Sequence, residues 1–226
     1  MSLASLPPSL GRDESVRIPG WVHDLASFRR WALSDEFPES GRIDYLGGDI
    51  WLDLTMEEFL GHNQVKGEYA FTIMSVSKAG NLGRFIHDRM RLVHEDAGLS
   101  CEPDGAFATW ETLRSGRLRL VPSEGRGFME LEGTPDMVLE VISASSVTKD
   151  TKELRDRYWQ AGISEYWLVD VRKNPLRFEI LYRDATAYVS IPANAGWLRS
   201  KVFGKEFRLV QQVDPLGQPL FTLEVR

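Results

Sequence analysis

The chain has 226 residues, 42% of them apolar and 27% charged, the balance of a globular protein whose length suits a single domain. Its 33 acids outnumber its 27 Lys and Arg, and the net charge of −6 argues against a grip on nucleic acid through bulk positive charge, although a metal ion can supply that charge locally. A single cysteine, Cys101, excludes an intrachain disulfide framework and fits a reducing, cytoplasmic setting, and no apolar run is long enough for a membrane span.

Residues 1–19 are rich in Ser, Pro and Gly and lack a basic start followed by an apolar stretch, so they read as a loose arm and not as a signal peptide. Residues 20–226 read as one domain, with a core over about 40–190 and a β-rich extension over about 191–226. Trp21, Leu25, Phe28, Trp31 and Ala32 recur at helical spacing. The segment 44–54 reads as strand with a turn at Gly47-Gly48, and Thr55 and Glu58 have capping-box spacing. A helix is predicted over 62–78, with Val65, Tyr69, Ile73 and Val76 on one stripe and Lys66 and Glu68 off its centre. A second helix is predicted over 82–95, stopped by Gly98. Short strands follow at 105–110 and 117–121, then a loop over 123–127.

Residues 135–143 form the strongest strand of the middle region, apolar on both faces, as strands inside a covered sheet are. A helix follows, marked by Val147, Thr151, Leu154, Tyr158 and Ala161 and stopped by Gly162; then comes a buried strand over 165–170. Strand, helix and strand make a βαβ unit. Further strands are predicted at 177–183, 187–191, 197–203, 207–210 and 220–225. The fold class is therefore α/β (α+β), a mixed sheet flanked by helices with a β-rich C-terminal portion. That portion is available as a homodimer interface or as a specificity surface.

Several chemistries drop out. The sequence has no GxxxxGK[ST] loop and no Gly-x-Ser-x-Gly elbow, and Gly125-Arg126-Gly127 is an isolated fragment. His23, His62, His87 and His94 show no HExxH spacing, though His87 and His94 would share a face of the predicted helix. Cys101 reads as a structural thiol.

Two Pro-Asp steps remain, Pro103-Asp104 and Pro135-Asp136, the second opening the strand that carries Glu140. Glu140 shares a strand face with Asp136, Val138 and Ile142, and a carboxylate in so apolar a strand needs a cation, a donor or water. Asp136 and Glu140 lie about 13 Å apart along one strand, too far to share a Mg²⁺ ion easily, so Asp136 reads as a residue that starts the strand. A carboxylate on a neighbouring strand is better placed, and Asp104 is the candidate if the two strands are adjacent. Lys149 and Lys152, at the mouth of the following helix, are candidate cations.

The run Pro135-Asp-Met-Val-Leu-Glu-Val-Ile-Ser143, the helix end Tyr158-Trp-Gln-Ala-Gly-Ile163 and the strand Glu165-Tyr-Trp-Leu-Val-Asp170 closely resemble the Uma-two family of restriction endonucleases, in the PD-(D/E)XK nuclease superfamily. Arg42-Ile-Asp-Tyr-Leu-Gly-Gly-Asp-Ile50 and Glu102-Pro-Asp-Gly-Ala-Phe107 extend the resemblance over about residues 40–190. The resemblance implies a small mixed sheet flanked by helices and cleavage of nucleic acid, DNA by expectation, with Mg²⁺ (or Mn²⁺). Asp104 resembles the PD aspartate and Glu140 the acid of the third motif, and the main-chain carbonyl of Val141 joins them on the metal. The superfamily lysine falls at Ile142, so Lys149 or Lys152 is expected to replace it. Glu68 is the candidate helix acid. A rival class is a catalytically silent nuclease-like fold that binds nucleic acid or protein, and the isoleucine at 142 favours it.

Overall fold

The computed structural model describes residues 16–123 and 127–226. Most of the predicted arm, and residues 124–126 of the predicted loop with Gly125 and Arg126 of its Gly-Arg-Gly fragment, lie outside the described residues. Helix α1 (Leu25–Ala32) starts at Asp24, whose side chain accepts from the Ser27 amide. It is followed by a hairpin of β1 (Arg42–Leu46) and β2 (Asp49–Asp53) and then by α2 (Gln64–Ala79), entered through a π-helical turn, Phe59–Asn63. Strands β3 (Gly83–His87), β4 (Arg91–His94), β5 (Leu99–Cys101) and β6 (Gly105–Thr109) precede the short α3 (Trp110–Arg114). Then come β7 (Leu118–Ser123), β8 (Gly127–Gly133) and β9 (Met137–Val141). A second π-helical turn, Lys149–Glu153, leads into α4 (Leu154–Gln160). The chain ends with β10 (Glu165–Asp170), β11 (Arg177–Arg183), β12 (Tyr188–Ser190), β13 (Leu198–Arg199), β14 (Glu206–Val213) and β15 (Pro219–Val225).

Two six-stranded mixed sheets run in the orders β2-β1-β5-β4-β8-β7 and β12-β11-β10-β9-β6-β3, and a three-stranded sheet has the order β13-β14-β15. The expected βαβ unit is present: β9 and β10 pair in parallel, with α4 between them in sequence. Strand alternation sorts β9 cleanly. Val138 and Ile142 join a cluster shared with Leu46, Leu92 and Leu131 of the first sheet and with Leu154 and Tyr158 of α4. Met137, Leu139 and Val141 turn the other way, onto Val65, Tyr69 and Ile73 of α2 and onto Phe207 and Leu223 of the C-terminal sheet. That sheet is also tied to the core by Glu165, which accepts from Ser200 Oγ (2.7 Å), Lys201 N (2.6 Å) and Val202 N (3.1 Å).

Three expectations are corrected. The helix predicted over 82–95 is two strands, β3 and β4. Gly83–His87 pairs antiparallel with Gly105–Thr109, and Arg89, with φ +67°, interrupts any helix between the strands. His87 and His94 therefore share no helix face. Thr55 and Glu58 do not form a capping box: Thr55 bonds Asp53, and Glu58 alone accepts from Leu60 N and Gly61 N. The strand predicted over 197–203 shortens to Leu198–Arg199, because the turn at 200–202 is held on Glu165. No helix among the described residues is long and apolar enough to cross a membrane.

Candidate active site

Strands β6 and β9 are antiparallel neighbours with Gly105 opposite Leu139 and Ala106 opposite Val138. Carried one residue further, that register sets Asp104 opposite Glu140, the adjacency that a shared ion requires. The Val141 amide donates to Asp104 Oδ2 at 2.8 Å and fixes the carboxylate at the strand end. Both side chains point into the space between the two large sheets, and Glu140 is only 1% exposed.

The first sheet and α2 supply the charges around the pair. Alternation on β1 buries Ile43 and Tyr45 against α1 and turns Arg42 and Asp44 the other way. Arg42 donates to Asp104 Oδ1 and to Asp88 Oδ1, each at 3.0 Å. Lys66, on α2, lies 3.6 Å from Asp104 Oδ1 and donates to Asp88 Oδ2 at 2.7 Å and to Glu57. His62, on the first π-helical turn, puts Nε2 3.7 Å from Asp104 Oδ2, and its Nδ1 is buried without a hydrogen-bond partner. Lys149 sits at the second π-helical turn and donates to Asp44 Oδ2 at 2.9 Å. Tyr158, on α4, donates to Glu140 Oε1 at 2.6 Å, and Cys101 Sγ lies 3.4 Å from the same hydroxyl.

The two carboxyls respond oppositely. Burial acts to raise Asp104, but Arg42, Lys66 and His62 outweigh it and hold Asp104 below its ordinary value. Burial pushes Glu140 well above the carboxylate range, with Asp104 and Asp150 adding to the rise and Lys149 and Arg42 offsetting only part of it. Asp150 is pushed up to about 7, chiefly by burial; its Oδ2 accepts from Ser146, and its Oδ1 is buried without a partner. Four buried acids (Asp44, Asp104, Glu140 and Asp150) face the cations Arg42, Lys66 and Lys149 and the His62 ring. With Asp104 and Asp150 close by, buried Glu140 holds a proton more readily than a free carboxyl does.

Not every candidate residue reaches this cluster. Lys152 is exposed, whereas Lys149 is buried. Glu68 accepts from the Leu223 amide at 2.9 Å and braces α2 against β15. Two residues along a helix is a rotation of about 200°, so Lys66 faces the pair and Glu68 faces away. The helix therefore delivers a cation where an acid was expected. Asp136 accepts from Thr109 N (2.7 Å) and Thr112 Oγ1 (2.9 Å) and pairs with Arg117, a brace at the start of β9. Reading the residues singly missed Arg42, Asp44, His62, Lys66, Asp150 and Tyr158. The signal for Asp44 was available: an aspartate alternating with Ile43, Tyr45 and Leu46 in an apolar strand needs a partner as much as Glu140 does.

A cavity of about 750 Å³ opens beside the cluster, lined in part by Arg42, His62, Asp88, Ile142, Ser145 and Arg172. Among the described residues, no three His, Cys, Asp or Glu side chains are arranged to hold a metal. The donor chemistry nonetheless fits a hard divalent ion, because Mg²⁺ is commonly bound through one or two carboxylates, keeping several waters.

Paired acids on adjacent strands of a mixed sheet, with cations from the flanking helix, define the restriction-endonuclease-like class of fold. A crystal structure described as a putative nuclease belonging to DUF820, from Anabaena variabilis ATCC 29413, shares that fold. Its TM-score is 0.57 at 19% identity, with 80% of this chain and 90% of that chain covered. The chain belongs to the Uma2 family, described as putative restriction endonuclease, whose model matches residues 25–210. No curated protein matches it.

Proposed function

We propose that the chain is a divalent-metal-dependent endonuclease that hydrolyses phosphodiester bonds of nucleic acid, with DNA the expected polymer and Mg²⁺ (or Mn²⁺) the expected ion. The observation that carries this reading is the meeting of Asp104 and Glu140 across β6 and β9, inside a buried cluster that raises Glu140 above the ordinary carboxylate range. Ionising Glu140 beside Asp104 calls for one more cation, and family membership supports a nuclease.

Asp104, Glu140 and the Val141 carbonyl would hold the ion. When bound, a divalent ion polarises a phosphoryl oxygen and lowers the pKa of its water. The other tasks fall to the chain. Tyr158 and the Val141 amide fix the two carboxylates from outside the reacting centre. Lys149, held cationic against the effect of burial by Asp44 and Glu140, orients the attacking water and offsets charge developing at phosphorus. Arg42 lines the cavity and bonds Asp104, so its guanidinium is placed to pair with an entering phosphate next to the acids.

The test is Mg²⁺-dependent cleavage of supercoiled plasmid and of single-stranded DNA by the wild type and by Glu140→Ala. Cleavage of at least one of these substrates, lost on chelation and in the variant, is expected. Equal cleavage by both proteins, or none by either across both substrates, overturns the reading.

A further inference from the structure

We infer that the site takes single-stranded polynucleotide and excludes an intact duplex, an inference that rests on the nuclease reading and narrows its substrate. Asp104 and Glu140 are both nearly sealed from solvent, and neither lines the cavity wall. A scissile phosphate must therefore pass inward from the cavity beside Arg42 and His62, which line it and contact Asp104.

The walls come from separate parts of the fold. Residues 53–58 follow β2, Gly61 and His62 belong to the π-helical turn, Asp88 and Arg89 join β3 to β4, and residues 142–146 follow β9. A volume of about 750 Å³ lies in the range of cavities that enclose small ligands and suits a nucleotide or two. A duplex brings its complementary strand with it and cannot lower one phosphate past walls on several sides. A single strand can splay its bases and thread its backbone inward.

The rim carries what a splayed base needs. Met56, 94% exposed, lines the cavity, and Leu54 and Phe59, the latter 60% exposed, flank in sequence the lining segment 55–58. An exposed aromatic side chain serves as a stacking platform for any base, and a neighbouring apolar side chain adds contact area. Charge points the same way. Five acids (Asp53, Glu57, Glu58, Asp88 and Glu102) line the cavity against three arginines (Arg42, Arg89 and Arg172). Such a wall tolerates one phosphate seated on arginine better than the doubled phosphate density of a duplex.

The experiment uses one labelled sequence in three forms: single-stranded DNA, single-stranded RNA and blunt duplex DNA. Cleavage is followed with Mg²⁺ and Mn²⁺, and binding by fluorescence anisotropy of the wild type in chelator. The inference expects cleavage of a single strand with the duplex intact, binding of the single strand at least tenfold tighter, and roughly a tenfold loss of that binding in Met56→Ala/Phe59→Ala. The two single-stranded arms show whether DNA or RNA is the polymer. Duplex cut or bound as well as single strand overturns the inference and leaves the nuclease reading in place. Preferential single-strand binding without cleavage of any form overturns the nuclease reading and leaves this inference in place. No binding of either single strand overturns the inference.

Discussion

Tyr158 donates its hydroxyl proton to Glu140 Oε1 at 2.6 Å, joining α4 to the C-terminal end of β9 where both side chains are buried. Tyr158→Phe deletes the donor and leaves a buried acceptor short of a partner, at a cost of about 1–3 kcal/mol. We expect urea unfolding to report that loss, and Mn²⁺ titration to report weaker binding because Glu140 is no longer fixed. Unchanged unfolding and unchanged Mn²⁺ affinity together would show that the contact is incidental.

Lys149 and Lys152 separate by burial. Lys149→Ala strips the ion-pair partner from buried Asp44 and should destabilise by about 3–5 kcal/mol, the range for breaking a buried pair by removing one member. Lys152→Ala, at an exposed position, should stay within about 0.5 kcal/mol of wild type and leave cleavage unchanged. Chemical denaturation of both variants, with cleavage of single-stranded DNA alongside, checks the contrast. Similar behaviour in the two variants would contradict it.

The metal-free protein should lose stability as pH rises toward neutrality. Asp150 has its folded-state pKa raised from 3.8 to about 7, so the folded state binds more protons than the unfolded one between those values. Its contribution is therefore complete at low pH and fades as pH rises through about 7. Glu140 acts in the same direction, whereas Asp104, held below its ordinary value, loses its contribution only on acidification. Asp150→Asn should flatten the decline, and Mg²⁺ or Mn²⁺ should oppose it by favouring ionised Glu140. Urea titrations over a pH series, with and without ion, give the slopes; a stability that climbs between pH 4 and about 7 in the metal-free protein would contradict this assignment.

Glu68→Ala removes the acceptor for the Leu223 amide and loosens β15 from α2. A loss of about 1 kcal/mol is expected, with Mn²⁺ affinity unchanged. Weaker Mn²⁺ binding in this variant would return Glu68 to the site.

The sequence by itself determined the elements whose pattern is local and unambiguous. The run from Pro135 to Asp170 reads as strand, helix and strand because its apolar periodicity, its capping residues and Gly162 all agree. The same pattern marked Glu140 as an acid needing a partner, and distance along a strand directed attention from Asp136 to Asp104. Residues 82–95 carry apolar spacing that suits a helix, yet they are strands because β6 and β5 offer edges that reward pairing over intrinsic preference. Only the tertiary structure decided which charges surround the acids. Arg42, Lys66 and Lys149 come from a hairpin, a helix and a π-helical turn far apart in the chain, and burial and field at Glu140 depend on their separation in space, which no spacing in the sequence records. Tertiary structure likewise placed Glu68 on the far side of α2 and raised walls around the cavity, the feature that turns an acidic chain ill suited to gripping a duplex into a candidate for cutting a single strand.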